Sequence, residues 1–369
     1  MISHTKQNER SKETVLITGF PSFNTYRLCQ EILSSPYEFQ GRIYFLVHPK
    51  KLEEAQKIIN RFSSEKQSYL YLLEGDTTAI DLGLSAAEFE TLTREINRIH
   101  HWSEIQDPPH QASIERICIE GTHEILEFAR ACTRLRCLIY HSSTAVSGDK
   151  EGIVFETDLK MGQRFQNIMQ QMHARAEKKV RQAMSYLPIA VIRPNWIVGD
   201  SIHGEVDMQS GPGLFIQQVI SHPFISPPYF QKDALFPVVP IDYVTRAANQ
   251  IGCHDQAYGH TFHLIDPQPL RAEQAFQLIA ELAGYPSTKA TGESHFSPVR
   301  ILQRESLWER TPLLRFFLDS MTIHVRYDST EADQLLAGSG LHCAPFESYV
   351  SRLVHSIQHK NRESQEGNA

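Results

Sequence analysis

The chain has 369 residues, 41% of them hydrophobic and 21% charged, so it can bury a large core without metals or disulfide staples. Its 43 acidic against 36 basic side chains leave a formal charge of -7, which argues against nucleic acid or anionic lipid as the main partner, since either favours a basic face.

The first fourteen residues are polar and contain no secretory apolar region, and no window approaches the roughly 20 apolar residues of a membrane span. A soluble, cytoplasmic protein is the expectation. Val15 to Gly19 then reads as a buried strand feeding a turn, and a helix is expected from Tyr26 to Ser34. Arg42 to Val47 is a second buried strand, followed by a helical pattern from Lys51 to Phe62 and a third strand from Tyr69 to Leu73, closed by Gly75 and Asp76. Helical patterns cover Ala86 to Ile99 and Ile114 to Ala131, and Arg136 to Ser142 is a strand. A long helix is expected from Gly162 to Met184, ahead of a strand from Ile189 that Pro194 ends.

From Gly199 to Phe236 the regular rhythm breaks, with Gly211-Pro212-Gly213 and Pro227-Pro228 marking loops. Thr261 to Ile265 returns as a strand, and the remainder to about Ile357 is mainly helical; apolar Leu313 to Ile323 reads as a core or dimer-facing helix because Arg315 and Asp319 interrupt it. Alternation of this kind builds an α/β fold, a Rossmann-type doubly wound parallel sheet with a small, mostly helical substrate domain. The expected boundaries are 14–200, with the sheet completed by 236–265, for the nucleotide domain; 201–235 and 266–356 for the substrate domain; and 1–13 and 357–369 for flexible tails. The six cysteines form no CxxC pair and no zinc spacing, so reduced, mostly buried thiols and no metal site are expected.

Thr18-Gly19 after strand one, Gly75-Asp76 after strand three, Glu120-Gly121-Thr122 in a helix, Ser142-Ser143-Thr144-Ala145 after a strand and Arg193-Pro194 fall in order along the chain. Together with Gly83-Leu84-Ser85, Arg193 to Asp200, Gly211 to Gly213, Val239 to Val244 and Thr261 to Leu264, they resemble the extended short-chain dehydrogenase/reductases, in the fatty acyl-CoA reductase or male-sterility branch. The resemblance runs from about residue 14 to 355. It implies reduction of acyl thioesters or related lipid carbonyls with NADPH or NADH.

The departures from that family gather where it carries its chemistry. The glycine pattern after strand one places Ser22 and Thr25 where the family has glycines that let the pyrophosphate approach. Thr18, Gly19, Ser22 and Phe23 are the candidate cofactor residues of this turn, joined by Asp76, which in relatives contacts adenine, and by Pro194. His48 stands where an arginine would favour the 2′-phosphate of NADP, and Cys118 where the family often has asparagine. Trp102-Ser103 replaces a small pair after His100-His101, which sets an indole against the adenosine channel unless it swings into the core.

Relatives carry YxxxK on the helix that here contains Asn167 to Glu177; residues four apart share a face, so the lysine lowers the tyrosine pKa and holds the nicotinamide ribose. Met169 falls at the tyrosine and His173 at the lysine, while Ser143 matches the residue that polarises the carbonyl. His173 reads either as an acid/base working with Ser143 or as a structural histidine, and Tyr140, His141, His100, His101 and Glu104 are candidates for a relocated acid. No G-x-S-x-G elbow surrounds Ser143, which argues against a hydrolase. Two functions follow. One is an NAD or NADP oxidoreductase with altered catalysis on an apolar acyl or polyketide-like substrate. The other is a non-redox enzyme or a silent binding subunit, pairing as a homodimer or with an active relative.

Overall fold

The computed structural model describes residues 13–34, 39, 41–103, 111–222, 228, 230, 232–285 and 311–366. Its centre is a seven-stranded sheet, every pairing parallel, built from β1 (Thr14–Thr18), β2 (Arg42–Val47), β3 (Leu70–Glu74), β4 (Arg98–Trp102), β5 (Cys137–His141), β7 (Ile189–Pro194) and β10 (Thr261–Leu264). The order is β3-β2-β1-β4-β5-β7-β10, so the chain reverses its direction of travel between β1 and β4. In a doubly wound sheet this is where ligands bind, outside the carboxyl ends of the strands.

The strands are continuous apolar runs because both sheet faces are covered. Successive residues point to opposite sides, so Leu16 joins Leu138, Tyr140 and Val191 on one face, whereas Val15 and Ile17 join Phe45 and Val47 on the other. The first face packs against α4 (Gln111–Glu115, continued through a π-helical turn at Arg116–Glu120 into Gly121–Ala131) and α5 (Ile168–Ala183). The second is covered by α1 (Phe23–Leu33) and α2 (Leu52–Ile59), and farther along by α7 (Ile241–Ile251). Between α2 and α4 runs α3 (Ala86–Glu95).

A separate core lies beyond the sheet, where Phe215, Phe236, Phe276, Phe317 and Phe346 are all buried. It draws on α6 (Gly211–Ser221), α8 (Ala272–Leu282), α9 (Pro312–Asp319) and α11 (Val350–Glu366). A short parallel ladder, β6 (Gly152–Val154) with β11 (Val325–Tyr327), joins this part to the segment after β5, and a second, β8 (Trp196–Gly199) with β9 (Val238–Pro240), pairs the strands where the chain leaves the sheet and returns to it. Buried Glu156 adds a further tie. Its carboxylate accepts from the amides of His263 (2.7 Å), and of Glu331 (2.6 Å) and Ala332 (3.1 Å) at the start of α10 (Thr330–Leu336).

Several boundaries differ from the sequence reading. The helical pattern from Ala86 stops at Glu95, because Ile96 turns extended and Arg98 begins pairing with β1. Helix α5 starts at Ile168, not Gly162: the Asn167 side chain accepts from the Gln170 amide at 3.1 Å and caps it, and Gly162 is left-handed at φ 73°. Gly211-Pro212-Gly213 is not a loop but the first turn of α6, capped by Ser210. Both glycines are required there, since a Cβ on Gly213 would lie 2.0 Å from the Asp207 carbonyl oxygen and one on Gly211 2.6 Å from Phe317. The expected tail from 357 is helical as far as Glu366. The polar leader before Glu13, Glu104 and Pro227 lie outside the described residues.

Candidate active-site cleft

Above the carboxyl ends of β1, β4 and β5 lies a cavity of about 800 Å³ whose wall includes Ser22, Phe23, Trp102, Ser143, Met169, His173 and Pro194. It begins at the turn between β1 and α1. Gly19 is left-handed at φ 83°, and a Cβ there would sit 2.7 Å from the Trp102 carbonyl oxygen, so no other residue fits without moving the end of β4. Ser22 caps α1, its amide donating to the Gly19 carbonyl (3.1 Å) and its hydroxyl accepting from the Thr25 amide (3.4 Å). Thr25 is buried, and its hydroxyl lies 3.0 Å from the Ser22 carbonyl. The two residues that replace glycines thus close the turn on itself, and the first turn of α1 still faces the cleft.

Thr18 and Asp76 do not line the cavity. The Thr18 hydroxyl accepts from the Trp102 amide at 3.1 Å and lies 2.8 Å from His101 Nδ1, tying β1 to β4. Asp76 accepts from the amide and hydroxyl of Thr78, both at 2.8 Å, and so shapes its own turn. Trp102 leans toward β5 and away from the β2 side: its indole stacks on His141 with centroids 4.0 Å apart and planes at 20°.

At the far end, the Ser143 hydroxyl accepts from the Ala145 amide at 3.2 Å, which leaves its proton for a partner in the cleft. Met169 and His173 stand one turn apart on α5, both on the cavity wall. Burial lowers the His173 imidazole to about 4, so it is neutral at pH 7, and its Nδ1 has no hydrogen-bond partner among the described residues. A thioether and a neutral imidazole have no acidic proton to give. Glu177, one turn on, is buried; burial works to raise its pKa, but the guanidiniums, led by Arg193, hold it below the usual carboxylate range.

Of the candidate relocated acids, Glu104 lies outside the described residues, and the other four are held away from acid work at pH 7. His100 Nδ1 and His141 Nε2 are 3.1 Å apart, burial holds His101 and His141 near 3, and the buried Tyr140 phenol is pushed up. Among these four described residues, only His141 reaches the cavity. The sequence reading missed Tyr327, whose phenol lies 2.9 Å from Ser147 Oγ and donates to the Thr144 carbonyl at 3.2 Å on the turn that carries Ser143. It arrives from β11, far along the chain, with no local signal. The rest of the wall is mixed: Trp196, Met208, Leu313 and Phe316 are apolar, while Asn167, Asn195, Asp207 and Gln209 are polar, and Lys51 and Lys360 also line it. Among the described residues, no three His, Cys, Asp or Glu side chains gather to hold a metal ion, and no helix is long and apolar enough to cross a membrane.

Residues 17–248, which run from the end of β1 through the cleft into α7, match the family described as male sterility protein. The chain belongs to that family. The male sterility match spans both the glycine turn and the altered α5 face. No curated protein sequence matches the chain. Among solved structures, the terminal R domain from the myxalamid PKS-NRPS pathway is similar with a TM-score of 0.77 at 24% identity, over 95% of this chain and 91% of that one. The reductase domain of a nonribosomal peptide synthetase from Mycobacterium tuberculosis is similar with a TM-score of 0.70 at 18% identity, over 97% of both chains. An archaeal thiolation-reductase di-domain gives 0.73 at 17% identity, over 98% of this chain and 81% of that one. This male sterility family member thus has the extended short-chain dehydrogenase/reductase fold of such reductase domains.

Proposed function

We propose that the chain is an atypical NAD(P)-dependent oxidoreductase that acts on an apolar acyl or polyketide-like substrate without a tyrosine–lysine pair. The observation that carries this reading is one continuous cleft running from the start of α1 to Ser143, with Met169 and His173 on its wall. In this reading 14–200 with 236–265 forms the nucleotide domain, and 201–235 with 266–356 the substrate domain. The cleft suits a dinucleotide at its phosphate end, because Gly19 keeps the left-handed turn and the first turn of α1 is on the wall. Ser22 and Phe23 would hold the phosphates, and Pro194 would border the nicotinamide. A bound NADH or NADPH supplies the hydride.

The chain's own residues do the rest. Ser143 donates a hydrogen bond to the substrate carbonyl oxygen and polarises it, and solvent water gives that oxygen its proton once the hydride has arrived at the carbon. His173, neutral, orients hydroxyl groups through Nδ1 and does not deliver a proton at pH 7. Met169 closes the apolar side where a phenol is absent, so carbonyl reduction is slower by about 10²–10⁴-fold than with a positioned acid.

The test is titration of the purified protein with NADH and NADPH, followed by cofactor fluorescence and thermal shift. Binding by either is expected, with slow oxidation in the presence of a medium-chain acyl thioester or aldehyde that Ser143→Ala abolishes. No response to millimolar cofactor rules the redox reading out. The second reading, a silent binding subunit, is favoured by the absent proton donor, and cofactor that binds but is never consumed supports it. A homodimer through α4 and α5, or a heterodimer with an active relative, would show as a doubled mass in light scattering.

A further inference from the structure

We propose that Trp102 sets the ligand specificity of the cleft by dividing it in two. One part, beside α1 and Lys51, takes an ADP-type group; the other, at Ser143, admits a nicotinamide ribose only when the indole leaves its stack on His141. The inference rests on the nucleotide-binding reading above.

Trp102 ends β4, between β1 with its glycine turn and β5 with Ser143. Its backbone is tied on both sides: Trp102 pairs with His141 of β5, and its amide donates to Thr18 Oγ1 at 3.1 Å. Only the side-chain torsions are free to change. The indole is held by its face on the His141 ring at 4.0 Å, and His141 is held in turn by His100 at 3.1 Å. The cavity continues on both sides of this stack, to Ser22 and Lys51 in one direction and to Ser143 and His173 in the other.

A dinucleotide that spans the carboxyl ends of β1 and β5 must cross the indole, whereas an ADP-type group need not. Two polar atoms beside the stack also await a partner. His141 Nδ1 and Ser103 Oγ are buried on the cavity wall and have no hydrogen bond among the described residues. Burying such atoms unpaired is unfavourable, and swinging the indole aside opens both to ligand hydroxyls. Breaking an aromatic stack to bind reduces apparent affinity by the fraction of molecules already open, here about tenfold.

The experiment is calorimetric titration of wild type, Trp102→Ala and Trp102→Phe with ADP, adenosine 2′,5′-bisphosphate, NADH and NADPH. The expected result is that the two adenosine ligands bind all three proteins alike, while the dinucleotides bind Trp102→Ala about tenfold tighter than wild type and Trp102→Phe in between. Retained binding of the adenosine ligands shows that a variant is folded, and if Trp102→Ala is not, Trp102→Phe decides. Equal dinucleotide affinities, adenosine ligands that tighten in step, or no adenine nucleotide bound by any variant overturns the proposal. Dinucleotide binding by Trp102→Ala but not by wild type removes the redox reading of the natural chain and leaves this one standing.

Discussion

Replacing Glu177 tests whether one buried carboxylate holds the cleft wall in place. It accepts from Arg193 Nη2 (2.6 Å) and Nε (2.9 Å), from Arg181 Nε (2.8 Å) and from the Ser142 hydroxyl (2.6 Å), and both Glu177 and Arg193 are 0% exposed. It therefore ties α5, with Met169 and His173, to the ends of β5 and β7. Removing one partner of a buried ion pair leaves the other charge uncompensated, so Glu177→Ala should lose about 3–5 kcal/mol. Urea denaturation at pH 7 measures it, and the melting temperature should fall by roughly 5–10 °C. Glu177→Gln keeps the shape and part of the hydrogen bonding and should lose less. Because the folded carboxyl titrates below its unfolded value of about 4.3, its contribution is complete above that pH and fades as pH falls. The gap between wild type and Glu177→Gln should close accordingly. A loss under about 1 kcal/mol for Glu177→Ala at pH 7, or a gap that ignores pH, refutes the reasoning.

Gly19→Ala should destabilise by at least about 2 kcal/mol, read by thermal melting, since it adds left-handed strain to the clash with Trp102. Four buried histidines, His100, His101, His141 and His263, and half-buried His173 are held neutral by desolvation with lowered pKa values. The unfolded chain takes up protons at these positions below about pH 6.5 and the folded one does not, so stability should drop by several kcal/mol per pH unit between about pH 6 and 4. Near-ultraviolet circular dichroism across that window checks it, and His263→Gln should flatten the slope. Met169→Tyr with His173→Lys should raise NADPH-dependent turnover by about 10² or more; a folded double variant that binds cofactor and gains nothing would mean that Ser143 is misaligned.

Much of the sheet was legible because β1, β2, β5 and β7 are apolar on both faces, which only a doubly covered parallel sheet requires. Strand β4 was half hidden, since Leu92 and Ile96 extend a helical period up to its start and polar His100 and His101 break the apolar run. Those histidines are buried, paired with His141 and with Thr18. Helix α6 was unreadable because its opening glycines answer to contacts with Asp207 and Phe317, which no local pattern reveals. Of the candidate site, Ser143, Met169 and His173 were named by register on one strand end and one helix face, and all three line the cavity. Tyr327 and Lys360 come from segments whose place in the cleft is decided by tertiary packing alone. The direction in which Trp102 leans was likewise invisible, because it depends on a ring two strands from Gly19.

The β6–β11 ladder and the Glu156 carboxylate have a consequence for how fast a ligand gets in. Residues 152–154 are zipped to 325–327, and the Glu156 carboxylate holds the amides of both His263 and Glu331, so swinging one lobe off the other as a hinge would break both ties at once. Access is then timed by rotation of side chains at the rim and of the indole, in nanoseconds to microseconds, and not by slower whole-lobe excursions.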